Sequence, residues 1–96
     1  MEKTEKINLF KRAVDTWGVE AQVDMVFEEI GELSTALAQY KRGRTTSKDV
    51  ITELADVVIM CEQMATLFGY DEFEKETEYK LDRLKERLQK YGNNSQ

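Results

Sequence analysis

Proline is absent from the 96 residues, and four of the five glycines, Gly18, Gly43, Gly69 and Gly92, fall at nearly even intervals. Proline is the residue least compatible with a helix interior, and glycine just past a helix end is the commonest stop signal. The punctuation predicts four helices and an all-α fold. The length makes one domain, 1–96, whose core suffices for independent folding without being generous, so association with further copies would help it.

The apolar spacing fills in the four helices. The first runs from about Lys3 to Thr16, with Ile7, Phe10, Val14 and Trp17 in one stripe. The second begins near Val19 or Glu20 and continues to about Tyr40, its apolar set being Val23, Val26, Phe27, Ile30, Leu33 and Leu37. The third, about Lys48 to Phe68, carries a broad arc from Val50 through Leu54, Val57, Val58, Cys61, Met64 and Ala65, which marks it as the central helix. Ser47, or Thr46 with Asp49, is the candidate cap at its start. The fourth, about Asp71 to Tyr91, has a narrow seam of Phe73, Thr77, Leu81, Leu84, Leu88 and Tyr91, and residues 93–96 should fray into a disordered tail. Gly31 stands inside the second helix at a cost of about 1 kcal/mol relative to alanine. It would admit a neighbouring helix on the side away from the glutamates.

Two acidic signatures interrupt this apolar pattern, Glu28-Glu29-Ile30-Gly31-Glu32 and Glu53-Leu54-Ala55-Asp56. Each sets carboxylates at i and i+3, neighbours on one helix face. At about 100° per residue, Glu53 shares its face with Met60, Met64, Val57 and Val50, and Glu29 shares its own with Met25, Ala36, Leu33 and Val26. Two helices thus aim carboxylates at an apolar interior. A buried carboxylate costs several kcal/mol unless it is paired, protonated or metal-bound. Between Ala13 and Tyr40, and again between Asp49 and Glu74, there is no Lys or Arg to pair with. Oxygen ligands without histidine favour a hard ion, Mg²⁺ or Mn²⁺. The plainer alternative leaves Glu32 and Asp56 solvated at helix edges and pairs buried Glu29 and Glu53 with cations from elsewhere in the chain.

Other residues carry two readings each. Trp17 either packs in the core or stacks on a planar ligand; Gln22, on the Glu29 stripe, either reads a base edge or is solvated at the helix start. Lys41, Arg42 and Arg44, in the one dense basic loop, either complement the helix dipole or reach phosphate oxygens. Lys80 and Arg83 are either solvated charges beside the fourth-helix seam or more distant phosphate partners. The net charge of −5 argues against a nucleic-acid polymer as partner. The single cysteine, Cys61, forbids an internal disulfide and reads as a buried small hydrophobe. No signal-peptide segment and no apolar run near the roughly 18 residues of a membrane span is present, so the expectation is a soluble, cytoplasmic protein away from membranes.

The two acidic signatures, the Trp17-Gly18 start and the Lys41-Arg42-Gly43 exit together resemble the MazG-like, all-α nucleoside triphosphate pyrophosphohydrolases over roughly residues 17–69. The resemblance implies a four-helix MazG-like bundle completed by oligomerisation as a homodimer or homotetramer. It implies Mg²⁺ as cofactor, held by Glu29, Glu32, Glu53 and Asp56. Glu28 matches a further glutamate of the motif, either a second-metal ligand or the group that orients the nucleophilic water. The implied reaction cleaves a nucleotide substrate, a (deoxy)nucleoside triphosphate, between its α and β phosphates, giving monophosphate and pyrophosphate. Two other readings compete: an acidic helical interaction or regulatory module, which predicts exposed carboxylates, and a catalytically silent nucleotide-binding relative. A carboxylate-bridged di-iron bundle needs Glu-x-x-His pairs, and the chain has no histidine.

Overall fold

The computed structural model describes residues 1–94, which form four helices: α1 Lys3–Trp17, α2 Val19–Lys41, α3 Ser47–Phe68 and α4 Tyr70–Asn94. The described residues contain no strand, so the chain is all-α as the proline-free sequence predicts. Of the frayed tail expected at 93–96, residues 93 and 94 belong to α4 and 95–96 lie outside the described residues.

Two of the joints are a single glycine each. Gly18 has φ +90° and its N–H donates to Val14 O at 2.7 Å; Gly69 has φ +134° and its N–H donates to Ala65 O at 2.8 Å. Each backbone lies in the left-handed region that favours glycine, so the chain closes one helix and opens the next within one residue. Gly92 is different: α4 continues through it, because no neighbouring element forces a turn there. The longer joint, 42–46, turns on backbone bonds from Arg42 N to Ala38 O and Arg44 N to Gln39 O, at 3.2 and 2.8 Å. Thr46 is the N-cap residue of α3 but makes no side-chain cap; instead Thr45 Oγ1 donates to the Asp49 carboxylate.

The 42–46 turn folds α2 and α3 into an antiparallel pair, the main packing of the molecule, with α1 packed against both. One register runs along the pair. Gln22 is bonded to Gln63, Met25 and Met60 line one cavity, the Glu29 and Asp56 carboxylates converge, and Glu32 and Glu53 line another cavity together. The buried apolar core is small, Phe10 and Val14 of α1 with Ala65 of α3, and the two glutamines Gln22 and Gln63 are buried beside it. The first turns of α4 are tied down by charges: Lys6 Nζ lies 3.2 Å from Glu62 Oε1, to which the Tyr70 hydroxyl donates at 3.0 Å, and Lys3 pairs with Glu74. Burial first, and then that bond to the Glu62 carboxylate, push the Tyr70 phenol above its usual value.

Beyond those turns α4 stands alone. Its backbone packs on α3, its link to α1 is through Lys3, and Leu81, Leu84, Leu88 and Tyr91 are exposed. The apolar arcs of α2 and α3 are also uncovered: Phe27 is 69% exposed, Val58 55%, and Ile30, Leu37 and Leu54 nearly half. Trp17 is not a core residue but lies 65% open to solvent, and Cys61 is exposed rather than buried, because the layer that would cover these faces is not supplied by the chain itself. Gly31 has nothing within 4 Å of where a side chain would start, so it admits no neighbouring helix and opens instead onto the cavity that Glu28 and Glu32 line.

These faces add up to a measurable surplus of surface. The chain exposes 7714 Å², whereas a compact monomer of 11.2 kDa exposes about 5,700 Å². Its radius of gyration is 16.8 Å, against about 12.5 Å for a globule of this length. No helix among the described residues is long and apolar enough to cross a membrane.

Candidate metal centre

The α2–α3 register delivers the acidic signatures to each other. Carboxylate oxygens of Glu29, Glu53 and Asp56 lie within 4.8 Å of one another, with Glu29 and Glu53 half-buried and Asp56 nearer solvent. Three acids brought this close repel, and at such separations the repulsion is strong wherever water is partly excluded. Burial, and then the charges of Glu32, Asp56, Glu53 and Glu28, hold the Glu29 carboxyl above its ordinary value of 4.5. Burial, then Glu32 and Asp56, do the same to Glu53, with Asp49 adding to the effect.

No cation relieves this. The ion pairs among the described residues are Lys3 with Asp71 and Glu74, Lys6 with Glu62, and Lys80 with Glu76, none of which includes an acid of the cluster. One oxygen of Glu29 and one of Glu53, Oε2 in each, is shielded from solvent and has no hydrogen-bond partner among the described residues. Orphaned buried carboxylate oxygens are costly. The two glutamates that carry them converge with Asp56, and together the three form a donor set of hard oxygens suited to a divalent ion such as Mg²⁺. The alternative in which Glu29 and Glu53 find a Lys or Arg elsewhere in the chain is not what the fold builds.

The remaining expected residues divide into two groups. Glu32 and Glu28 are exposed and line, with Glu53, Asp49, Thr45 and Gln39, a cavity of about 600 Å³ that runs from the carboxylates toward the 42–46 turn. Glu32 thus stands beside the trio, its charge bearing on both Glu29 and Glu53. Lys41, Arg42 and Arg44 are exposed at the turn end, with no ion pair to other described residues. Trp17 and Gln22 line a second cavity, of about 580 Å³, at the opposite end of the α2–α3 groove. Lys80 and Arg83 are not brought to the acids within one chain, since they stand on α4, which does not pack on α2. Sequence reasoning missed Gln63, Asp49 and Thr45. Gln63 was within reach: it is seven residues beyond Asp56, as Gln22 is seven before Glu29, so antiparallel pairing of the acidic signatures also pairs the glutamines.

Comparison with protein-family models, with curated proteins and with solved structures gave no match in any of the three.

Proposed function

We propose that the chain is a Mg²⁺-dependent nucleotide pyrophosphohydrolase that cleaves a (deoxy)nucleoside triphosphate between the α and β phosphates. The observation that carries the proposal is the convergence of Glu29, Glu53 and Asp56 from two helices, with two sealed, unpartnered carboxylate oxygens and no cation at hand. The resemblance of the two acidic signatures to the MazG-like pattern supplies the reaction, and the half-burial of Glu29 and Glu53 speaks against a merely solvated acidic surface.

In this reading Glu29, Glu53 and Asp56, with Glu32 beside them, hold the ion. A divalent ion there would neutralise phosphate charge and lower the pKa of bound water. Glu28 lies about 100° round the helix from Glu29 and lines the adjoining cavity. From there its carboxylate can hold a water for attack on phosphorus, or contribute to a second cation. The triphosphate tail runs along that cavity, and Lys41, Arg42 and Arg44 at its turn end carry remaining negative charge, since phosphoryl transfer depends mostly on positioning and charge neutralisation.

The reading includes assembly. A surplus of about 2,000 Å² per chain is what an obligate homodimer or larger homo-oligomer buries, and the uncovered α4 seam is its natural contact. A second copy would also be the source of Lys80 and Arg83 for the phosphates. The test of the catalytic assignment is Glu53→Ala: it should lose Mg²⁺-dependent turnover while circular dichroism shows the helicity kept. Full activity in that variant refutes the assignment.

A further inference from the structure

The cavity at the far end of the α2–α3 groove has no part in metal or phosphate handling, and its chemistry is unlike that of the first. Ala21, Met25 and Met60 give it apolar walls, Trp17 stands at its mouth, and the buried glutamines Gln22 and Gln63 close it. Gln63 Nε2 donates to Gln22 Oε1. That bond uses one donor group and one acceptor, and leaves the Gln22 amide nitrogen and the Gln63 carbonyl oxygen without other partners among the described residues. Exchanging oxygen and nitrogen in both amides changes which side donates, yet again leaves one donor beside one acceptor. Neither atom is among the sealed, unpartnered ones, so both open onto the cavity, where the edge of a ligand would take the place of water. Here the pair offers an unused donor and acceptor side by side in an otherwise apolar cavity.

Position adds a second argument. On each helix the glutamine is two turns, about 10 Å, from the carboxylate opposite its partner's, with Met25 and Met60 in the turn between. That separation suits the span of a nucleoside 5′-phosphate from base edge to phosphate. No Lys or Arg lines the cavity, and Asp24 at its wall disfavours an anionic group, so a ligand with one flat end and one phosphate end enters base first. The indole of Trp17, mostly in solvent, is the group that a flat ring would cover.

We propose that this cavity is the base-selection site: a heterocyclic base lies against Met25, Met60 and Trp17 and sets its lactam or amidine edge on the free donor and acceptor of the Gln22–Gln63 pair. The identity of the ligand as a nucleotide rests on the reading proposed above; the recognition of a flat donor–acceptor edge rests on the cavity. A site built to hydrogen-bond an edge rejects the analogue that lacks it, because its own polar groups are then left unpaired.

Trp17 is the only tryptophan, so its fluorescence reports this end of the groove, both this cavity and the adjoining one that Trp17 and Gln63 share with Phe10 and Ile59; the double variant then ties the signal to the glutamine pair. Wild-type protein with chelator is titrated with uridine, cytidine, adenosine, guanosine and their deoxy counterparts, and separately with inorganic pyrophosphate. The expected result is saturable quenching by at least one nucleoside, none by pyrophosphate, and binding weaker by about 10- to 100-fold when the edge nitrogen of that base is methylated. The double variant Gln22→Leu/Gln63→Leu should lose affinity by a similar factor; removing both partners of a buried pair keeps the fold better than removing one. No saturable change with any nucleoside, a methylated base that binds like its parent, or a double variant that binds like wild type overturns the inference. The two proposals fail separately. Nucleoside binding without metal-dependent hydrolysis sinks the reaction and keeps the base site, whereas hydrolysis whose ranking of bases is unmoved in the double variant sinks the base site and keeps the reaction.

Discussion

Leu84→Ala separates a chain that works alone from one that works in company. Leu84 sits mid-seam on α4 and is 51% exposed. Fully burying a leucine contributes about 1.5–3 kcal/mol, so covering its exposed half in an interface contributes about 1 kcal/mol per copy. In a two-fold dimer the residue occurs twice, and truncating it should weaken association by about 2 kcal/mol, roughly thirtyfold in the dimer Kd. In an isolated chain the same change costs little, because α4 has few neighbours there and alanine is the best helix former. Sedimentation equilibrium over a wide concentration range measures the dissociation constant of both proteins, and circular dichroism checks that helix content is unchanged. A wild-type chain that stays monomeric at every concentration, or an unmoved dissociation constant in Leu84→Ala, refutes the reasoning from surplus surface.

The acid cluster makes stability depend on pH and metal together. Glu29 and Glu53 titrate above their ordinary 4.5, so the folded state binds protons more tightly than the unfolded. In chelator, the contribution of these two groups to stability is fully present below about 4.5 and is lost as pH rises through the raised folded values. Mg²⁺ competes with those protons, so its stabilising effect should grow over the same window, and a chelated protein whose melting temperature is flat there contradicts the cluster electrostatics. Glu53→Gln removes one of the repelling charges: its melting temperature in chelator should exceed that of wild type, and the upward shift given by Mg²⁺ should shrink. An undiminished Mg²⁺ shift would remove Glu53 from the donor set. Gly31→Ala should stabilise by about 1 kcal/mol, since the helix gains propensity and nothing stands in the way; a lowered melting temperature would mean that this face is covered in solution. Gly69→Ala should destabilise by about 1–2 kcal/mol in thermal melts, because a side chain is strained at φ +134°; the exposed Glu72 carboxylate beside it can swing aside at little cost.

The helices were legible to within about a residue at every end but the last, which runs three residues past Tyr91, because the signals for them are local: an apolar stripe, an absent proline and glycines that stop a helix by taking positive φ. Gly92 shows the limit of that reasoning, since a glycine ends a helix only where the chain has somewhere to turn, and α4 has none. The convergence of Glu29, Glu53 and Asp56 was legible for a different reason. Acids placed on apolar stripes of two consecutive helices meet once a short turn pairs those helices. Cys61 was read as interior, and a core place was one of the two readings of Trp17, because periodicity reports which face is apolar, not what covers it. In a single chain α1 ends at Trp17 and no element passes over Cys61, so both look outward. Gln63 needed the pairing register, which no single helix contains.

The most direct test of the central claim is product analysis of the full chain with a panel of ribo- and deoxynucleoside triphosphates, in Mg²⁺, in Mn²⁺ and in chelator. The account predicts stoichiometric pyrophosphate and nucleoside monophosphate from at least one member with either metal and none in chelator. Diphosphate with inorganic phosphate as the products, release that persists in chelator, or no release from any member would contradict it.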